Sequence, residues 1–249
     1  MDFEGALPVF TALSAPCVGS FISAIGDRLP QGRAVMFDRS RCESCAKQLH
    51  WYELIPIWSW IVQAGICRGC GARIGWPVLC AELGALGVAI WALLVLPTAA
   101  LLPGVAFGWT LLLLAIIDSK TMRLPDSITL PLLLAGLATA ALLVPAELAD
   151  HLLGAALGYG SLALLAIVYR SIRGRVGLGG GDAKLFAAIG AWIGWQGLPS
   201  VLLISGLAGL AYALFRGRGR VCAQERIAFG PALALGGWIV WLYGPLVLS

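Results

Sequence analysis

Long apolar blocks broken by short polar segments dominate the chain, and neither helical nor alternating periodicity runs through them. Blocks near the roughly 20 residues that cross a bilayer as a helix fall at about 5–25, 76–97, 101–117, 127–145, 151–169, 183–197, 199–215 and 227–247. The pattern predicts an all-α polytopic membrane protein with about eight transmembrane helices. The sixth and seventh blocks are short and meet at Gly197-Leu198-Pro199, so they are expected either to span separately or to form a re-entrant pair. The first block starts with Asp2 and Glu4 and lacks a basic leading region. It is therefore expected to be a retained helix and not a cleaved signal peptide.

Composition agrees with the pattern. Apolar residues make up 59% of the 249 positions and charged residues 12%, against roughly a quarter charged in soluble domains. Disorder, collagen and secreted disulfide scaffolds are excluded together. The net charge of +4 is too small and too scattered to suggest nucleic acid.

Position matters more than the total. All seventeen Lys and Arg lie in one alternating set of loops, 26–75, 118–126, 170–184 and 216–226, and the opposite set holds none. The positive-inside rule then places the first set in the cytoplasm and both termini outside. Three regions are expected: a first transmembrane helix over 1–25, a cytoplasmic loop over 26–75 and a transmembrane domain over 76–249.

The loop carries Cys42-Glu-Ser-Cys45 and Cys67-Arg-Gly-Cys70, two CxxC turns separated by 21 residues. Each turn can supply two thiolates to one tetrahedral zinc, and a cytosolic loop keeps thiols reduced. Four sulfur ligands leave no open position, so this zinc would staple a small loop and perform no chemistry. A redox pair is the other reading of the same spacing. His50 is expected to be a surface or packing histidine, and Cys17, Cys80 and Cys222 to be packing residues.

Chemistry, if any, must come from acids at the membrane edge. Asp118 ends the run Leu-Leu-Leu-Leu-Ala-Ile-Ile. Asp182 follows Gly179-Gly180-Gly181 and leads into Ala-Lys-Leu-Phe-Ala-Ala-Ile. Both fall at ends of blocks on the basic side, so one fold can bring them together. From residue types alone the plainer readings stay open: Asp182 as a helix N-cap, Asp118 as the end of a span. Asp126, in Leu124-Pro125-Asp126-Ser127, sits where an N-cap is wanted. Glu82 lies about six residues into the second block and is an unassigned intramembrane acid.

Taken in order, Gly19-Ser-Phe-Ile, the two CxxC turns with Ile55-Pro-Ile-Trp-Ser59 between them, Asp118-Ser-Lys-Thr-Met-Arg-Leu-Pro-Asp126, the GxGD of Gly179–Asp182 and Phe229-Gly-Pro231 resemble the prepilin peptidases. These are the type IV leader peptidases, a branch of the GxGD aspartyl proteases. The resemblance covers about residues 19–237. Ser23 stands where many relatives have Asn, and Trp76-Pro-Val-Leu-Cys80 replaces a commoner Arg-Tyr-Pro pattern before Glu82.

The resemblance implies that Asp118 and Asp182 are the catalytic pair. It also implies a prepilin or type II secretion pseudopilin substrate, cut at the cytoplasmic face of a bacterial inner membrane. N-methylation of the new N-terminus with S-adenosylmethionine is expected by the same resemblance, though no glycine fingerprint names a donor site. The triple glycine would let an extended substrate approach closely; its other reading is a flexible turn. Lys184 and the arginines of 170–175 read as substrate-steering or as ordinary positive-inside residues. Two other classes stay open: a proton-coupled transporter relaying through Asp118, Asp182 and Glu82, which would need midplane acids and inverted repeats, and a non-enzymatic scaffold acting through its zinc loop.

Overall fold

The computed structural model describes residues 3–33, 41–42, 44–174, 179–216 and 228–246. Arg39, Arg175, Arg218, Arg220, Arg226 and Cys222 lie outside the described residues. Among the described residues the architecture is helical and there is no strand, only isolated bridges at Arg41–Gln48 and Ile66–Arg73. The chain divides into two units, Met1–Val105 and Ala106–Ser249.

The first unit holds α1 (Phe3–Arg28), α2 (Trp58–Val62) and α3 (Trp76–Val95), and it also contains the start of α4 (Thr98–Thr121). α1 packs on α3. Gly19 makes the approach possible, because a Cβ there would fall 2.5 Å from the Glu82 Cα. α3 starts with Pro77 in its first turn, where a missing N–H costs nothing, and stops at Leu96-Pro97.

The second unit holds the rest of α4, then α5 (Asp126–Leu143), α6 (Leu148–Arg173), α7 (Gly180–Ile193), α8 (Leu198–Arg216) and α9 (Gly230–Tyr243). α7 is its centre. Ten of its fourteen residues are buried, and it packs against α5, α6 and α9. Small residues let the backbones close up, as in membrane helix pairs generally. Gly154 and Gly190 face each other backbone to backbone, Gly158 lies against Phe186, and Gly237 lies against Ile189.

These contacts fix directions. Asp126 meets Lys184 while Leu132 meets Trp192, so α5 runs parallel to α7. The opposite order along α6, where Gly154 meets Gly190 and Gly158 meets Phe186, makes α6 antiparallel to α7. α5, α6 and α7 thus alternate in direction.

Among the described residues six helices are long and apolar enough to cross a membrane: Ala6–Gln31, Trp76–Val95, Thr98–Thr121, Asp126–Leu143, Pro145–Arg173 and Trp195–Arg216. The expected spans at 183–197 and 227–247 are the 14-residue helices α7 and α9, roughly 21 Å each at 1.5 Å per residue. A short turn, Trp195–Gly197, joins α7 to α8. The shortness of α7 has a local cause: Gly179 opens the helix and Gly194, at φ 74°, closes it.

Candidate active site and metal loop

Asp118 lies on α4 one turn before its end and is only 4% exposed. Its Oδ2 accepts the N–H of Gly230, the first residue of α9, at 2.9 Å. A helix N-terminus offers unpaired N–H groups to an anion. Glycine leaves room for this bond, because a Cβ on residue 230 would stand 2.6 Å from that oxygen and force the carboxylate aside. The Phe229-Gly-Pro231 motif therefore has a steric reason: glycine admits the carboxylate and Pro231 opens α9 without a lost N–H.

Asp182 is the third residue of α7 and is buried. It is not the N-cap; Gly179 holds that place, and the Asp182 Oδ2 reaches back to accept the Gly179 N–H at 3.1 Å. The two carboxylates come from helices 64 positions apart, and the charge of Asp118 acts on Asp182. Neither is a mere helix end at the surface.

A second layer sets this geometry. Phe107 of α4 stacks on Trp192 of α7 with ring centroids 4.5 Å apart, and Trp241 of α9 meets both rings edge-on. From this aromatic trio to Asp118, Asp182 and Gly230 is ten or eleven residues along each helix, roughly 15–17 Å at 1.5 Å per residue. α4 runs opposite to α7 and α9, so rigid helices of matched length carry the three polar groups to one end. Lys120, Arg123, Arg170, Arg173, Lys184 and Arg216 all lie at that same end of their helices or in the loops there.

The three glycines differ in what surrounds them. A Cβ on Gly181 would meet the Leu124 Cβ at 3.0 Å, and one on Gly179 would meet the Asp182 carboxylate at 3.3 Å. Gly180 has nothing within 4 Å on that side. Asp126, expected as an N-cap, is the first residue of α5, with Pro125 capping. Both of its oxygens accept from the Lys184 Nζ at 2.7 Å. Lys184 is therefore held against α5, an arrangement the sequence reading did not foresee.

The loop of the first unit gathers the four cysteines. The sulfurs of Cys42, Cys45, Cys67 and Cys70 all lie within 4.8 Å of one another, and Cys42 and Cys70 stand 3.8 Å apart. A tetrahedron with bonds of about 2.3 Å has edges of roughly 3.8 Å, so the cluster is compatible with a structural metal. The two turns repeat one hydrogen-bond pattern. The Cys42 N–H donates to the Lys47 carbonyl and the Ala46 N–H to the Cys42 carbonyl; the Cys67 N–H donates to the Ala72 carbonyl and the Gly71 N–H to the Cys67 carbonyl. Ala46 and Gly71 both sit at positive φ.

Electrostatics agrees with the donor set. Backbone N–H groups of Cys45 and then Ser44 draw the Cys42 thiol down to about 6. Cys70 is pushed up to about 12, against the lowering pull of the Ala72 N–H, by the neighbouring Cys45 thiol, burial and the other two thiols. Four thiolates this close repel, and a bound cation removes that cost. His50 is outside the cluster; its exposed ring stacks on Tyr52 at 5.3 Å.

Sequence reading missed Glu53, which is buried and accepts the His50 N–H at 2.9 Å. That bond first, with Lys47 at 3.9 Å in support, holds its carboxyl below the usual range. The spacing His50-Trp-Tyr-Glu53 is a capping-box signal that could have found it. Cys17 and Cys80, expected as packing residues, are exposed on α1 and α3.

Fold and site together define a multi-pass helical membrane protein with two buried carboxylates at one end of its second unit and a four-cysteine loop in its first. The chain belongs to the type IV leader peptidase family, whose model matches residues 105–214, while the bacterial peptidase A24 N-terminal domain matches 13–96. A prepilin leader peptidase/N-methyltransferase of Burkholderia pseudomallei (strain 1026b) is 39% identical over 236 residues, 94% of this chain and 74% of that protein. Proteins of the same name from Aeromonas hydrophila and Dickeya chrysanthemi are each 40% identical, over 84% of this chain and 73% and 76% of their own. No solved structure matches. The transporter and scaffold readings gain no support from these relatives.

Proposed function

We propose that this chain is a membrane aspartyl endopeptidase that removes the basic leader from type IV prepilins or type II secretion pseudopilins, with Asp118 and Asp182 as its catalytic pair. The observation that carries the proposal is where the two acids are placed. Two buried carboxylates from distant helices are held at one end of the second unit by the backbone N–H groups of Gly230 and Gly179.

Two acids that feel each other's charge in a partly desolvated site resist ionising together, so one stays protonated while the other takes a proton from the attacking water. The pair titrates as a unit. The protonated acid donates to the scissile carbonyl and stabilises the developing oxyanion, and a proton then passes to the leaving amine. Each carboxylate accepts a backbone N–H at its Oδ2, a fixed geometry that costs no reorganisation at the moment of reaction.

The site faces the cytoplasm of a bacterial inner membrane and both termini lie outside, a placement supported by the basic residues gathered at the Asp118–Asp182 end. The regions 1–25, 26–75 and 76–249 act as first helix, zinc loop and peptidase domain. Cys42, Cys45, Cys67 and Cys70 hold zinc, which staples the loop. The names of the relatives support N-methylation of the trimmed product with S-adenosylmethionine, and no residue is assigned to that donor. Co-expression with a prepilin tests the reading: Asp118→Ala and Asp182→Ala should each insert in the membrane and leave the prepilin uncut, and normal processing by both would refute it.

A further inference from the structure

The first unit holds a buried acid that the peptidase reading leaves unused. Glu82 on α3 is 4% exposed; its Oε2 accepts the Ile57 N–H at 2.6 Å, and it also bonds the Ser20 hydroxyl of α1. Ile57 pays for this contact in conformation. It sits at φ 62° and ψ −55°, with the Trp58 N–H bonded back to the Pro56 carbonyl at 2.6 Å. That is a γ-turn of the strained, positive-φ kind, at a β-branched residue that avoids such angles.

Two rulers give the depth of this turn. Glu82 lies six residues beyond Trp76, roughly 9 Å along α3, and Ser20 lies eight residues before Arg28, roughly 12 Å along α1. The 20 residues of α3 rise roughly 30 Å, the thickness of the hydrocarbon core, so α3 has no length to spare outside it. The Ile57 backbone is therefore tied about two turns below the loop-side ends of both helices. From Leu54 to Cys67 the chain carries no charged residue, and Ile55, Trp58, Ile61 and Val62 are exposed. Backbone at such depth needs partners inside the protein. Ile57 finds one in Glu82, while the N–H groups of Ser59, Ile61 and Gln63 bond to Ile55, Ile57 and Ser59.

We infer that the segment 55–62 dips into the bilayer leaflet that α1 and α3 enter on the loop side, with its exposed apolar side chains docked in lipid. Glu82 is the buried acceptor that holds the turn at that depth. The lipid contact continues the outer face of α3, where Trp76 and Leu83 are also exposed. The cysteine knuckles and the charged residues beside them, Arg41, Lys47 and Glu53 on one and Arg68 and Arg73 on the other, stand clear of the membrane. This inference does not rest on the peptidase reading.

The test places the photoreactive residue p-benzoylphenylalanine at Ile61 of the full chain, reconstituted in vesicles of phosphatidylethanolamine and phosphatidylglycerol. Leu83 serves as the lipid-facing control and Gln48 as the knuckle control. Ile61 should give phospholipid adducts by intact mass at no less than half the Leu83 yield, with Gln48 below a tenth of it. An Ile61 yield no higher than that at Gln48, whether the probe stays unreacted or links to protein, overturns the inference. Glu82→Gln keeps an acceptor and should keep the Ile61 adducts, whereas Glu82→Ala should lower them several-fold; equal yields in the two variants overturn the role given to Glu82.

Discussion

The Gly230 N–H donates to the Asp118 carboxylate at 2.9 Å across 112 positions of sequence. That bond ties the start of α9 to the end of α4 beside Asp182, at a spot where a side chain on residue 230 has no room. Gly230→Ala should therefore push Asp118 out of place while leaving the fold intact. Misplacement by about 1 Å can cost on the order of 100-fold in rate, and the cleavage rate of a purified prepilin should fall by about that factor with membrane insertion unchanged.

Gly180 and Gly181 should behave differently from each other. Gly180 opens onto free space, so Gly180→Ala should leave thermal stability as it is and raise KM for prepilin if the substrate backbone runs past it. Gly181→Ala meets Leu124 and should lower stability as well. Melting temperature measured beside KM separates the two; a Gly180→Ala enzyme with unchanged KM would remove the substrate-approach role.

The four-cysteine loop should hold one zinc per chain. Replacing Cys42 and Cys67 together by serine removes one ligand from each knuckle, and metal analysis of the purified protein should then fall to near zero. Retention of one equivalent would show that these sulfurs are not the ligands.

Glu53 gives the loop a pH dependence of known sign. Its carboxyl is held below the usual range in the folded loop, first by the His50 N–H. Its contribution is therefore complete above the unfolded-state value of about 4.3 and is lost as pH falls through the lower folded value. The stability gap between the wild-type loop and Glu53→Gln should be constant from neutral pH down to about 5 and close below that. A gap that widens on acidification would contradict the assignment.

How far the sequence reaches can be followed residue by residue. Apolar block length and the one-sided Lys and Arg suffice for the helices and their alternation, because hydrocarbon thickness and charge sorting act on local composition. The spacing of the CxxC turns suffices for a cysteine cluster, because each turn is a local structure. Asp118 and Asp182 stood out as acids ending or opening apolar runs, but Gly230 as the partner of Asp118 depends on α9 packing beside α4, which no local pattern encodes. The Lys184–Asp126 pair and the aromatic layer of Phe107, Trp192 and Trp241 are tertiary in the same sense. The γ-turn at Ile57 was invisible for a stronger reason: a β-branched residue is the last that local preference would put at positive φ, and a carboxylate 25 positions away holds it there.

The central claim is that Asp118 and Asp182 act as one catalytic pair. The most direct measurement is the single-turnover cleavage rate of a purified prepilin by Asp118→Asn, Asp182→Asn and the double variant, each with its zinc content recorded. Each single variant should lose at least about 1,000-fold with zinc unchanged, and the double variant should be little worse than either, because groups acting as a unit are not additive. A single variant that cleaves at the wild-type rate would contradict the account.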